Sequence, residues 1–317
     1  MFNLIKLETP ISLITNVLLP NIRALEAKRL RTMNISQTKI ASLLGVTQPA
    51  VKQYLDVKEE IYSEKLRELG LSDKEIQEFL DELTEILLKN NVKDTMYFVT
   101  MQGLKMLSEL KFCNYHRRVN PTIPLDCNIC ESFYREDEEE EISLAISMLQ
   151  NETIGLLIPE VLSNIAFSKR NPHDVADVIA VPGRIAKVRG LPTPVSKPMW
   201  GGSRHLAIIL IHVNKRFPKV RSVMNIKFDK NVLEAIKSVG LTYVEVGPRD
   251  YASDEEIAEE IAKTYNGEDA VIHLGGKGIE PITYVFGSGP LEVARKVINV
   301  SRRYREILEG EVQPKNT

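Results

Sequence analysis

The sequence predicts an α+β chain of several domains. An all-α N-terminal half carries a helix-turn-helix, a small Cys/His linker follows, and the C-terminal half is α/β. Three observations predict this. Apolar residues keep helical spacing through about Leu110. Short β-branched runs alternate with helical patterns from Pro159 onward. All three cysteines of the 317 residues fall between Cys113 and Cys130, beside the change of character. The expected domains are 1–70, 71–135 and 140–310.

The helical half starts at Pro20, which suits the first position of a helix. Ile22, Leu25 and Leu30 fall on one side of it. Ser36–Leu44 and Thr47–Leu55 are two short helices about Gly45. Ser36 and Thr47 can cap them, and Pro49 fits the first turn of the second. Ala41 is small where two helices must cross, and Val46 can plug the space between them. Ile40, Leu44, Val51 and Leu55 supply a shared core. Gln37, Thr47, Gln48, Lys52 and Gln53 remain for solvent. Glutamine suits adenine edges, while lysine and threonine suit phosphates, so these five are the candidate DNA-contacting residues. Between Ile22 and Leu55 six basic residues (Arg23, Lys28, Arg29, Arg31, Lys39, Lys52) stand against one acid, Glu26, in a chain of net charge −2. A basic segment in a near-neutral chain fits a DNA-reading module joined to something else. Ser72 with Glu75 forms a capping box for a helix reaching about Asn90. A further helix covers Met96–Leu110, and helices in this stretch are candidates for a dimer contact.

Cys113-Asn-Tyr-His116 and Cys127-Asn-Ile-Cys130 give C-x2-H, ten residues, then C-x2-C. Three thiolates and one imidazole make a closed tetrahedral set, so Cys113, His116, Cys127 and Cys130 are candidate ligands of a structural zinc. An iron–sulfur cluster is the alternative. Every residue from Glu136 to Glu141 is acidic, which reads as a solvated helix start or linker.

In the second half, strands are expected over Val175–Val188, His205–Val213, Val223–Phe228, Tyr243–Val246, Ala270–Leu274 and Ile282–Phe286. Helices are expected over Pro159–Ser168, Asn231–Val239, Asp254–Tyr265 and Pro290–Ile307. The composition, 43% apolar and 26% charged, reads as a soluble globular chain. The longest apolar runs fall far short of a membrane span, and the N-terminus has no signal pattern. A cytoplasmic location is expected, and few cysteines argue against a disulfide framework.

Two resemblances follow from these residues. Ser36–Leu55 resembles the helix-turn-helix of the phage-repressor-like regulators, with Thr47–Leu55 as the recognition helix. Such proteins usually bind DNA as dimers on two half-sites. The segments Pro159–Ala166, Val181-Pro-Gly-Arg-Ile185, Gly201-Gly-Ser-Arg-His205, Met224–Phe228, Gly275-Gly-Lys-Gly-Ile-Glu-Pro281 and Phe286-Gly287 occur in order. Together they resemble the ThiN-type thiamine-phosphate synthase domain over roughly Ile142–Arg305. The combination is similar to archaeal ThiR-like regulators of thiamine biosynthesis, and the Cys/His pairs resemble a feature of related regulators.

The synthase resemblance implies a reaction joining a pyrimidine methyl diphosphate to a thiazole phosphate, with Mg present if the domain is enzymatic. It implies Arg184 and His205 as the catalytic pair. A guanidinium can hold a phosphate by paired hydrogen bonds, and an imidazole can serve the leaving diphosphate. Asn164, Arg184, Gly202, Ser203, His205, Asn225, Gly275, Gly276, Lys277, Glu280 and Pro281 are the candidate ligand-binding residues. The free amides of Gly287-Ser-Gly-Pro290 are a further candidate phosphate seat. The late loop departs from the enzyme pattern, with His273 at an acid position and Ile279 at a lysine position. That departure weakens magnesium handling or diphosphate holding. The expected function is therefore a ligand-responsive transcription regulator, a repressor, binding an operator as a homodimer and sensing thiamine phosphate or a related intermediate. The alternative is an active synthase that carries a DNA-binding head.

Overall fold

The computed structural model describes residues 9–134 and 137–312. The chain divides into two compact units, Met1–Glu136 and Asp137–Thr317. Both expected N-terminal segments fall within the first.

In the first unit, helix α1 (Ile11–Leu13) passes through a π-helical turn (Ile14–Leu18) into α2 (Leu19–Thr32). Pro20 was expected to open a helix, yet one is already running when the chain reaches it. A proline removes one donor and crowds the carbonyl four residues back. The wider π turn, closed by the Leu19 amide on the Ile14 carbonyl, gives that ring room. α3 (Gln37–Leu44) starts where the Ser36 hydroxyl accepts the Lys39 amide, and stops at Gly45, whose φ is 64°. α4 (Gln48–Asp56) starts where the Thr47 hydroxyl accepts the Ala50 amide. Ile40, Leu44 and Val51 are buried, while Val46 and Leu55 are half-buried. α5 (Glu59–Leu69) was not read in the sequence. α6 (Asp73–Leu88) carries the Ser72–Glu75 capping box in full. α7 (Val92–Ser108) starts four residues before Met96 because Asn91 caps it. α8 (Cys113–Val119) and a 3-10 turn (Ile129–Ser132) close the unit.

The second unit opens with α9 (Glu138–Leu149), which Asp137 caps. The acidic run is its first turn, where carboxylates oppose the positive end of the helix dipole. Strands β1 (Ile165–Ser168), β2 (Val178–Ala180), β3 (Ile185–Val188), β4 (Leu191–Pro194) and β5 (Met199–Trp200) follow. Then come α10 (Arg204–Arg216), β6 (Ser222–Lys227), α11 (Lys230–Ser238), β7 (Tyr243–Val246), α12 (Asp254–Thr264), β8 (Ala270–His273), β9 (Ile282–Gly287) and α13 (Pro290–Val312).

Three expectations are corrected. His205–Val213 is helical, within α10, and not a strand. Nearly every residue from Leu206 to Val213 is buried, so the run lacks the polar stripe that distinguishes a helix from a buried strand. The helix expected over Pro159–Ser168 ends instead as β1, whose four residues are all buried. The single strand expected over Val175–Val188 is a 3-10 turn, β2, a tight turn and β3.

Seven strands form one sheet in the order β5-β2-β1-β6-β9-β8-β7. Every neighbouring pair is antiparallel except β7 with β8. β3 and β4 form a separate hairpin. α10 and α12 bury their apolar residues on one face, against Ala166, Val223, Val271, Tyr284 and Phe286. Strand alternation turns Thr283 and Val285 to the opposite face, where α13 packs along β6 and β9. The register sets His273 against Ile282 and Val271 against Tyr284. The end of β8 and the starts of β9 and β1 therefore lie at one end of the sheet.

Candidate functional site

That end of the sheet gathers the turns that carry most candidate ligand residues. Asn164, just before β1, is buried. Its side chain accepts the Ile165 amide (2.9 Å) and the Val181 amide (3.1 Å), and donates to the Val181 carbonyl (2.8 Å). Its own amide donates to Asn225 Oδ1 at 2.7 Å, and Asn225 Nδ2 donates to the Leu162 carbonyl at 2.9 Å. Both asparagines are thus occupied in knotting the β1 entry to the Val181 turn.

That turn presents Arg184, which is exposed. Its backbone is left-handed, with φ 72°, a conformation that costs a non-glycine residue roughly 1–2 kcal/mol. The guanidinium donates to the Val161 carbonyl. The Val161 amide, in turn, donates to Glu280 Oε2 at 3.2 Å, and the Glu160 amide to Glu280 Oε1 at 3.2 Å. Glu280 therefore clamps the late loop to the segment before β1. Gly275 and Gly276 shape that loop. A Cβ on Gly276 would collide with the Arg249 carbonyl, and one on Gly275 with the Ile279 carbonyl. Close packing of backbone explains these two glycines without a ligand. Lys277 and Pro281 are exposed at the loop surface, and the Lys277 amide donates to Asp250 at 3.0 Å.

His205 lies in the first turn of α10, whose start is capped by the Ser203 hydroxyl. Gly202 lets the chain pass against the Ala180 carbonyl, where a Cβ would not fit. One face of the imidazole meets Asp254, with Nδ1 3.1 Å from the carboxylate. Its Nε2 lies 2.8 Å from the Tyr284 hydroxyl. Burial pushes the Tyr284 phenol well above its ordinary value, Asp254 adds to the rise, and Arg184 opposes it. Arg184 is thus within electrostatic reach of the same phenol. Nearby, His273 is only 1% exposed. Its Nδ1 accepts the Gly275 amide at 3.3 Å, so in the neutral ring Nε2 carries the proton. That Nε2 is buried without a partner among the described residues. Burial lowers the His273 pKa; Glu260 opposes the shift and His205 adds to it.

The Ser288 amide after β9 is not free for the phosphate seat expected there. The Ser288 amide and hydroxyl both donate to Glu292, at 2.8 and 2.7 Å. They also sit at the far end of β9 from Ile282, across a strand of six residues.

In the first unit, Thr47, Gln48, Lys52 and Gln53 are exposed on and before α4, and Gln37 is half-buried at the start of α3. Cys130 is buried, and Cys113 and Cys127 are half-buried. Burial first, then the other two thiols, pushes Cys130 up to about 11, and burial also raises Cys113. Among the described residues, no group of three or more His, Cys, Asp or Glu side chains is assembled as a metal cage.

Residues 141–299 match the ThiN thiamine-phosphate synthase family. The chain belongs to the ThiN family. The matched residues all lie in the second unit, which is its ThiN domain. The thiamine-phosphate synthase ThiN of Methanothermobacter thermautotrophicus is 33% identical over 181 residues, covering 54% of this chain and 95% of that protein. The bifunctional thiamine biosynthesis protein ThiDN of Methanocaldococcus jannaschii is 32% identical over 179 residues, covering 55% of this chain and 43% of its own length. The crystal structure of the C-terminal domain of protein MJ0236 is 32% identical, with a TM-score of 0.49, covering 55% of this chain and 98% of that one.

Within the ThiN domain, sequence reasoning missed Asp254 and Tyr284, the two groups that hold His205. Asp254 reads as an ordinary first-turn acid of α12. Tyr284 reads as one more large residue in a strand. The available signal was a phenol inside a strand buried on both faces, since a buried hydroxyl needs a partner. The chemistry open to this arrangement is anion binding and proton handling. Arg184 keeps guanidinium donors beyond the one given to Val161. The imidazole of His205 is oriented from both sides, and no described helix is long and apolar enough to cross a membrane.

Proposed function

We propose that the chain is a DNA-binding transcription regulator whose ThiN domain senses thiamine phosphate or a related phosphorylated intermediate. The observation that carries this reading is the fusion itself. A ThiN domain shares its chain with two short hydroxyl-capped helices, the second of which offers Thr47, Gln48, Lys52 and Gln53 to solvent within a basic segment. Glutamine and lysine at exposed positions on one short helix suit base edges and phosphates in a major groove. A ligand in the ThiN domain shifts DNA binding only if it favours one arrangement of a dimer over another. Thiamine phosphate itself would be held by Arg184, with His205 beside it. The experiment is promoter DNA binding at fixed salt, measured with and without thiamine phosphate, its diphosphate and the two phosphorylated precursors. A ligand-dependent change of at least tenfold supports the reading. An affinity that ignores all four at millimolar concentration removes it. Salt is held constant because counterion release alone moves affinity by orders of magnitude.

A second reading, an active synthase, is favoured by one specific observation: His205 is oriented by Asp254 and Tyr284 in the manner of a proton-handling group. Mixing the protein with both substrates and magnesium tests it, with thiamine phosphate as the readout. The reading also includes a structural zinc held by Cys113, His116, Cys127 and Cys130, supported by the C-x2-H and C-x2-C spacing of these residues. One equivalent of zinc per chain, lost on Cys130→Ser, is the expected result of metal analysis.

A further inference from the structure

The first unit contains a cavity of about 370 Å³ that none of these activities uses. It lies between α2, the end of α3, and the junction of α6 with α7. Leu19, Ile22, Leu43, Leu83, Leu87 and Val99 make most of its wall apolar. At the mouth, Val92 is 70% exposed and Met96 65%. The volume lies within the range of about 300–1,000 Å³ typical of small-molecule sites.

One cation lines this cavity, Arg23. It is half-buried, and among the described residues its guanidinium has no hydrogen-bond or ion-pair partner. The other arginines of α2 differ. Arg29 donates to Asp81 at 2.5 Å and to Gln77 at 2.7 Å, and Arg31 donates to the Ile35 carbonyl at 3.3 Å. A guanidinium has five donors and stays charged, so holding one half-buried against apolar wall without an acceptor carries a desolvation cost. A carboxylate or phosphate offsets that cost through paired, charge-assisted hydrogen bonds.

We propose that this cavity binds a small amphipathic anion, with its carboxylate or phosphate head on Arg23 and its apolar body against Ile22, Leu83 and Leu87. A second copy of the chain covering the same face would bury Val92 and Met96 and is the competing occupant that the titration below tests. The cavity volume and the unpartnered charge inside it favour the amphipathic ligand. Ser42, Leu44 and Gly45 also line the cavity, so the occupant touches the turn that leads into α4.

The test is calorimetric titration of the full chain with octanoate and, separately, octanol. Octanoate is expected to bind one per chain and at least tenfold tighter than octanol. Arg23→Gln is expected to erase that preference. Thr100→Trp places a large ring at an exposed, cavity-lining position and is expected to weaken both ligands while leaving the circular dichroism unchanged. Equal binding of octanoate and octanol to the unaltered protein would overturn the proposal. So would a preference that survives Arg23→Gln, no binding of either, or a concentration-dependent dimer that excludes octanoate. A loss of DNA affinity in Arg23→Gln with octanoate binding intact would assign the arginine to nucleic acid instead, and would equally overturn it.

Discussion

Helices α4 and α10 are built alike at their starts and differently everywhere else. Each is opened by a hydroxyl, Thr47 or Ser203, that accepts an amide three residues on. The candidate residues of α4 point to water, and its place follows from a cap, a proline and a turn glycine. His205 of α10 is held by Asp254 and by Tyr284, groups 49 and 79 positions away in the chain. Local rules are thus enough to place the first set. The second is placed only by the completed sheet, so its residues should couple function to stability where those of α4 do not.

The largest expected effect tests the long-range side. Asn164→Ala removes three buried hydrogen bonds and takes the acceptor from the Val181 amide. A loss of about 4 kcal/mol is expected in urea unfolding of the ThiN domain, since each unsatisfied buried group costs about 1–3 kcal/mol.

Glu26 is the place where the first unit could break the contrast. It is fully buried in α2 and accepts the Thr84 hydroxyl at 2.8 Å. Burial raises its pKa from 4.5 to about 7, against the lowering effects of Thr84 and Arg29. The folded state then holds this proton more tightly than the unfolded chain does. Its contribution to stability is greatest below pH 4.5 and is lost as pH rises to about 7. The stability of the unaltered protein relative to Glu26→Gln should fall by roughly 3 kcal/mol over that window. Equal pH dependence of the two proteins in urea titrations would show that the carboxyl ionises freely.

A smaller effect is expected at Asp254→Ala. If the Asp254 carboxylate orients His205, thiamine phosphate affinity measured by calorimetry should drop about tenfold, some 1.4 kcal/mol. Restoring the acceptor with Asn should recover part of it. The smallest belongs to α4: Gln53→Ala should change unfolding free energy by less than about 0.5 kcal/mol, while weakening promoter binding. A large stability loss there would mean that this face of α4 is packed rather than presented.

The same contrast governs what the sequence made legible. Ser36, Gly45, Thr47 and the Ser72–Glu75 pair act within a few residues, and each structural role was readable from spacing. The alternation after Val223 was readable because its strands and helices keep distinct periods. α10 and β1 were not, because burial on all sides removes the polar residues that mark a period. At the candidate site, Arg184 and His205 were reached through ordered motifs. Asp254, Tyr284 and the clamping role of Glu280 depend on which strands become neighbours, and no local pattern encodes that.

The peptide of Val161 has one further consequence. Its carbonyl is answered by a base from position 184 and its amide by an acid from position 280. The two peptide groups that meet at this one α-carbon therefore join two loops that never pair as strands. Any lineage that replaced the acid would leave that amide without an acceptor, and the turn bearing the arginine would lose its footing, so the two positions are expected to change together or not at all.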